Sequence, residues 1–291
     1  MSAQEINSDH LKKLHKRSVL RWVMYVVLDW TVIIGTVLIA GYLNNGIVYF
    51  IAALIIGNRI HGLAVMGHDG AHFALSRVTW MNDAISSVLV FWPLGMSLEG
   101  YRTFHMNHHR YVGTPKDPEL IHKRQAAPEY DLPLASTSRW IFWILRDLTG
   151  YSGIELIRLA RLTLPKEKKD LIIPVSFQIL FILTCIMTGQ YWIPILWYYS
   201  YMVGFWISMR FRIWIEHVGT QETHRVQLHW WQEVLCAPHW ISYHFEHHKF
   251  PTVPCWNLKK LRSLDGTKPI LPIEKLVEMY RQESGSMLSK G

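Results

Sequence analysis

Cysteine is nearly missing from this chain, with three in 291 residues, at positions 185, 236 and 255. A disulfide framework is therefore excluded as the source of stability. Charge is missing over two long stretches: nothing between Asp29 and Arg59 is ionisable to a full charge, and nothing between Asp170 and Arg210. A soluble helical protein does not leave such lengths uncharged. The first 18 or so residues are polar, and no small-residue cleavage site follows an apolar core, so a cleaved signal peptide is not expected. The first apolar block is then its own insertion signal. Long Pro-rich or Gly-Ser linkers are also lacking, as is any repeat of fixed period, so the simplest partition is a basic N-terminal segment, 1–21, followed by one membrane-embedded domain, 22–291.

What is present is apolar: half of the chain, gathered in blocks at 22–43, 47–67, 171–189 and 191–213. Short turns, Asn44-Asn45-Gly46 and Gly189-Gln190, join them in pairs. A helix needs ~20 mostly apolar residues to cross the hydrocarbon core, and unpaired backbone amides are costly there. The expected fold is an all-α integral membrane protein with four transmembrane helices in two hairpins. Two further segments suit the interface. Residues 83–99 are apolar but short and are interrupted by Pro93 and Gly95, which suggests a re-entrant piece. Residues 139–162 mix Trp140, Phe142, Trp143, Leu156 and Ile157 with Arg139, Arg146, Glu155, Arg158 and Arg161, as a helix lying among headgroups would.

Lys and Arg fall almost entirely in the N-terminal, central and C-terminal segments, while both turns are uncharged. The positive-inside rule puts those three segments, both termini included, in the cytoplasm. A formal net charge of +8 then needs no nucleic acid to explain it, because an anionic membrane surface or an acidic protein partner suffices. Trp192, Trp197, Tyr198, Tyr199 and Trp206 read as interfacial belts and packing.

Sixteen histidines are present, and eight of them form three clusters: His68 and His72; His105, His108 and His109; His244, His247 and His248. Spacings of three and four residues put imidazoles on one helix face, where they can share an ion. A ninth candidate, His217, follows Glu216 where the fourth block ends. All four elements fall on the expected cytoplasmic side and form a histidine-rich cap. His10, His15, His122, His224 and His229 read as surface or satisfied core residues, whereas His61, seven residues before His68, could support the cluster from behind, as could His239. Clustered imidazoles at membrane depth would desolvate one another without a cation.

The number of ligands points to the metal. Four donors normally close a zinc site, and nine exceed that; Asp69 also stands where an H-E-x-x-H metalloprotease carries Glu. Imidazole suits iron, and two irons sharing nine nitrogens keep room for oxygen. Haem uses one or two axial histidines and leaves the triples unexplained. A zinc-dependent membrane hydrolase would need fewer histidines and a general base, and a metal transporter would line its spans with ionisable residues.

The order HDGAH, HMNHH, WIEH, HFEHH among two helical hairpins resembles the membrane fatty acid desaturase and hydroxylase superfamily, which includes alkane hydroxylases and carotenoid ketolases. The resemblance runs from about residue 20 to residue 262 and implies a di-iron centre held by His68, His72, His105, His108, His109, His244, His247 and His248, with His217 as the isolated ninth ligand. It further implies two non-haem Fe ions, O2 as co-substrate, and a lipid or fatty-acyl substrate. Without a His-Pro-Gly-Gly haem motif, electrons are expected from a separate ferredoxin or cytochrome b5-type carrier. Desaturation of an acyl chain is the first reading, with fatty-acyl or alkane hydroxylation and carotenoid oxygenation on the same scaffold as alternatives. The run Gly113-Thr114-Pro115-Lys116-Asp117-Pro118 is similar to carotenoid ketolases. Asp69, Asn107, Glu216 and Glu246, adjacent to ligands in sequence, could hydrogen-bond the far ring nitrogens, or simply be solvated.

Overall fold

Uncharged runs of this length can satisfy their backbone only as helices, and the computed structural model of the chain is mostly helical. It describes residues 7–126, 136–218, 220 and 222–288. In chain order the helices are α1 Ser8–Leu14, α2 Val19–Leu43, α3 Gly46–Ala71, α4 Thr79–Ser86, α5 Leu98–Tyr111, α6 Pro118–Ala126, α7 Thr137–Leu148 and α8 Ile154–Leu162. They continue with α9 Ile172–Met187, α10 Trp192–Ser200, α11 Trp206–Glu216, α12 Trp230–Cys236, α13 His244–Lys249, α14 Cys255–Leu264 and α15 Ile273–Leu288. The two-residue strands β1, Val226–Gln227, and β2, Leu271–Pro272, pair in parallel.

Among the described residues three helices are long and apolar enough to cross a membrane: Val19–Leu43, Gly46–Ala71 and Lys168–Met187, the last beginning with a short 3-10 turn. The fourth expected stretch is built differently. α10 passes through a π-helical turn, Tyr201–Phe205, into α11 without a break and runs on to Glu216. Its last turns carry Arg210, Arg212 and Glu216, all buried in protein, and Arg210 grips Asp147 of α7 at 2.7 and 3.0 Å. The π turn sits where α3 comes closest. A Cβ on Gly57 would lie 2.3 Å from the Phe205 nitrogen, and one on Gly204 would lie 2.4 Å from the Ala53 carbonyl, so paired glycines let the two backbones touch.

The α2–α3 hairpin also extends further than apolarity alone suggests. Asn44, in the left-handed region at φ 43°, caps α2, and the Asn45 side chain caps α3. The first half of α3 buries Ala52, Ala53, Ile56 and Gly57 alone, whereas every residue from Ile60 to Ala71 except Ala64 is buried. The second half thus runs inside the protein and carries the helix through His68 to Ala71, four residues beyond the expected apolar block. Asp29, fully buried in α2, sits between Arg59 at 3.1 Å and His239 at 2.6 Å, which ties the hairpin to the loop before α13. His239 and Trp240 hold φ angles of 52° and 61°, a costly pair of left-handed residues. The Asp29 contact and the packing of Trp240 on Tyr25 over-determine them.

Both segments expected at the interface are broken helices. Residues 83–99 span the end of α4, a π turn at Ser87–Phe91 and a bend at Gly95, φ +72°. Residues 139–162 divide into α7 and α8 at Gly150, φ +78°, where Arg146 lies 4.5 Å from the Trp143 ring and 4.6 Å from that of Tyr151.

Candidate metal centre

Helical spacing brings histidines to one face, but tertiary contacts decide where the faces meet. Arg102 of α5 donates to the Ala71 carbonyl at 3.0 Å and the Gly70 carbonyl at 3.2 Å, while its Nη1 and Nη2 hold Asp83 at 3.0 and 2.6 Å. One side chain therefore caps α3 and sets α5 against it. Gly70 is required here, because a Cβ would meet the Ser86 Oγ at 2.2 Å. α13 is fixed by its Glu246, which takes Arg225 at 2.6 Å and Arg262 at 2.8 and 2.9 Å, all three side chains buried. Arg225 also donates to the carbonyls of Arg262 and Asp265 at 3.0 and 2.7 Å.

These clamps gather nine imidazoles at the end of the bundle where α3 and α11 finish. His68, His72, His105, His109 and His247 form one group, and His108, His217, His244 and His248 form a second; in each, the potential ligand atoms lie within 4.8 Å of one another. His61 stands apart, its Nδ1 2.5 Å from the Ser208 Oγ, and His239 is engaged by Asp29. His224 and His229 are satisfied by the Val218 carbonyl and by Glu274.

The ring nitrogens cannot satisfy one another. His109 Nε2 faces both His105 Nε2 and His247 Nε2 at 3.0 Å, and His244 Nε2 faces those of His217 and His248 at 2.8 and 2.9 Å. A neutral ring nitrogen carries one hydrogen or one lone pair, so in each trio the central Nε2 can make one well-directed hydrogen bond and its second close contact is left without one. The Nε2 atoms of His68 and His72 are buried without any partner. Protonation is no remedy: burial first, and the neighbouring rings next, hold His72, His105, His244, His247 and His248 well below the ordinary imidazole pKa and lower His109 to about 4. The donor set is one that a pair of cations fits.

A family model described as fatty acid desaturase matches residues 45–272, a span containing all nine histidines. The chain belongs to the fatty acid desaturase family. It is an enzyme of that family by the same match. Among curated relatives, it is 25% identical to an sn-1 acyl-lipid omega-3 desaturase (ferredoxin) of Nostoc sp. (strain 36), over 80% of this chain and 71% of the relative. It is 27% identical to an sn-1 oleoyl-lipid 12-desaturase of Synechocystis sp., over 75% and 70%. A dihydrorhizobitoxine desaturase of Bradyrhizobium elkanii is 26% identical over 92% of this chain and 81% of the relative. Some relatives are considerably longer: the chain spans 62% of an Arabidopsis thaliana chloroplastic sn-2 acyl-lipid omega-3 desaturase.

Within this desaturase-family site two far ring nitrogens have hydrogen-bond partners that adjacency in sequence did not indicate. His108 Nδ1 donates to Asp117 at 2.9 Å, and His217 Nδ1 donates to the Glu222 carbonyl at 2.9 Å. Glu216 lies 3.3 Å from His244 Nδ1 and accepts from Arg212 at 2.5 Å. The other three polar neighbours do different work. Asp69 accepts from the Cys255 amide at 2.9 Å, Glu246 is the arginine clamp, and Asn107 lies on the exposed side of α5. Asp117 was legible in principle as an Asp-Pro helix start nine residues after His108, an N-cap signal with a carboxylate to spare.

Proposed function

We propose that this chain is a multi-pass membrane oxidoreductase in which the nine histidines hold two non-haem irons, and which uses dioxygen and external electrons to desaturate a fatty acyl chain. The observation that carries the reading is the convergence of Nε2 atoms that cannot all be hydrogen-bonded to one another, above all His109 Nε2 against two others. In this reading α2, α3, α9 and the α10–α11 helix are the four spans, and both termini and the histidine-rich cap face the cytoplasm, as the Lys and Arg distribution favours.

A bound iron pair supplies, with dioxygen, the removal of hydrogen from a methylene that no side chain is basic enough to deprotonate. Loss of two hydrogens from adjacent carbons, with two electrons and two protons delivered from outside, turns O2 into two waters. The chain's own residues orient the ligands. The Nδ1–H groups of His108 and His217, given to Asp117 and the Glu222 carbonyl, leave Nε2 as the free donor and fix the ring planes. Burial keeps the rings neutral and able to ligate. An apolar groove of about 350 Å³ lies between α2, α9, α10 and the π turn after α4, lined among others by Trp30, Val88, Leu89 and Trp197. Val90 and Phe91 of that same turn touch the Gly67 position, one residue before His68, so an acyl chain in the groove would lie against the wall of the site.

The names of the relatives support ferredoxin as electron donor, and the +8 charge suits an acidic carrier, cytochrome b5-type carriers included. A second reading, desaturation of a substrate other than a membrane lipid, is favoured by one observation: the dihydrorhizobitoxine relative covers 92% of this chain. The test is a product screen by mass spectrometry of a host expressing the chain, with reduced ferredoxin supplied to its membranes and the His247→Ala variant as control. Acyl chains lighter by two hydrogens only with the parent are expected. Chains heavier by one oxygen would overturn desaturation in favour of hydroxylation, and unchanged lipids would overturn the acyl substrate.

A further inference from the structure

α12 belongs to the stretch between His217 and His244, yet its surface is not that of a helix facing water. Trp230, Trp231, Val234 and Leu235 are all exposed, Trp230 by 77%. They share one broad face of the helix. Glu233, the one charged residue of α12, is turned inward, where the Ser242 hydroxyl donates to it at 3.5 Å.

The side chains that hold α12 fix its height along the spans. Trp22, next to the basic Arg21, donates to the Met66 carbonyl at 3.0 Å, so the charged start of α2 and Met66 stand at one level. From there on α2 exposes Met24, Val27, Leu28, Ile34 and Leu38, so this level is where its apolar surface begins. Asn58 lies eight residues back along α3, roughly 12 Å deeper at about 1.5 Å per residue. Its Nδ2 donates to the Leu235 carbonyl at 2.8 Å, and the Ser208 hydroxyl donates to the Cys236 carbonyl at 3.1 Å. α2 gives the same answer independently: Asp29, seven residues or about 10 Å beyond Trp22, holds His239, three residues after α12 ends. The start of α12 is shallow by contrast. His229 pairs with Glu274 at 2.7 Å, and both side chains are more than half exposed.

We propose that residues 229–243 form a re-entrant loop that dips into the bilayer from the cytoplasmic side, with the outer face of α12 against lipid acyl chains. The proposal rests on the four-span reading above. Backbone groups in hydrocarbon must be paired within the protein, and the last carbonyls of a helix are the ones left over. Those of Leu235 and Cys236 have their donors in the spans. The polar atoms that reach them are themselves engaged, since Asn58 Oδ1 accepts from Arg59 Nε at 3.0 Å and Arg59 continues to Asp29 at 3.1 Å. The returning arm is largely irregular backbone, which lipid does not tolerate, and Ala237, Pro238, Ile241, Ser242 and Tyr243 are buried. Beyond His229, the exposed residues of the loop all lie on the helical arm. The loop ends at His244, so lipid contact on α12 also sets the height of a proposed metal ligand.

The test is spin labelling of the full chain in dioleoylphosphatidylcholine vesicles, with Cys185 and Cys236 replaced by Ser and the buried Cys255 left in place. Labels are introduced by Trp230→Cys, Val234→Cys and Leu235→Cys, with Ile51→Cys on the exposed side of α3 as lipid reference and Lys275→Cys as water reference. Oxygen concentrates in hydrocarbon and a nickel chelate stays in water. The labels at 234 and 235 are expected to be relaxed more by oxygen than by nickel, as at 51, with the label at 230 shallower and that at 275 reversed. Two positions at the deep end keep the test readable if one variant does not fold. Labels at 234 and 235 that behave as at 275, while 51 reports lipid, would overturn the loop and leave the spans standing. Labels there shielded from both reagents would also overturn it, in favour of a second copy or another protein covering the face. A label at 51 that reports water overturns the span reading itself, and the proposal with it.

Discussion

The five-histidine and four-histidine groups sit side by side but are held by different means. The carboxylates of Asp117, Glu119 and Glu216 all lie against rings of the four-histidine group. The five-histidine group is set by the packing of rings on rings and by the helices that carry them. His68 and His247 have centroids 4.2 Å apart, His72 and His109 4.6 Å, and Tyr101 stacks on His105 at 5.6 Å with planes 8° apart. One site is thus oriented by polar contacts from the loops and short helices of the cap, the other by the rigid end of α3 and the face of α5. Polar orientation tunes a ligand and can be removed by one atom's change, whereas packed orientation yields only when a helix moves.

The largest effect should come from removing a proposed ligand. His247→Ala takes a donor from the five-histidine group and His244→Ala from the four-histidine group, and each is expected to abolish turnover, read as loss of the desaturated product. Next in size is the clamp that holds both residues. Glu246→Ala leaves Arg225 and Arg262 buried without their counter-charge and should destabilise the protein by about 3–5 kcal/mol, measured as a lowered thermal midpoint in detergent. Since α13 supplies ligands to both groups, this variant should damage both together. An Asp117→Asn change should separate them: metal affinity of the four-histidine group is expected to fall about 10–100-fold while the other group is unaffected. Equal weakening of both would break the comparison.

How much of this was legible in the sequence follows from the kind of signal involved. Clusters such as His105, His108 and His109 lie within one helical turn and declare a common face from spacing alone. That these faces would divide five to four was not legible, because His247 and His248, adjacent in sequence, go to different groups, as do His108 and His109. Adjacent residues on a helix point about 100° apart, and only tertiary packing says which partner each meets. The same reason explains Glu246: next to a ligand, it points away toward two arginines. The uncharged runs gave three spans directly. The block expected at 191–213 already runs past Arg210 and Arg212; what it did not declare is that their charges are matched by Asp147 and Glu216, one of them 63 residues away.

Smaller effects probe the surroundings. Val88→Trp would fill the apolar groove and is expected to slow turnover of long acyl chains roughly tenfold, about 1.4 kcal/mol, with metal content unchanged. The smallest is a pH slope in the metal-free protein. His109 has a folded pKa of about 4, below the ordinary imidazole value of about 6.5, because burial disfavours its charged form. Between those values the unfolded chain binds a proton that the folded one refuses, so stability falls as pH drops from about 6.5 toward 4, by at most about 1.4 kcal/mol per pH unit for this residue. Thermal midpoints of metal-free protein across that window check the sign.

The central claim is that two irons are bound, one by each group of histidines. Metal analysis of the detergent-purified parent, His247→Ala, His244→Ala and the double variant tests it most directly. The account predicts about two irons per chain in the parent, close to one in each single variant and essentially none in the double variant. A single zinc in the parent, or iron content unchanged by all three substitutions, would contradict it.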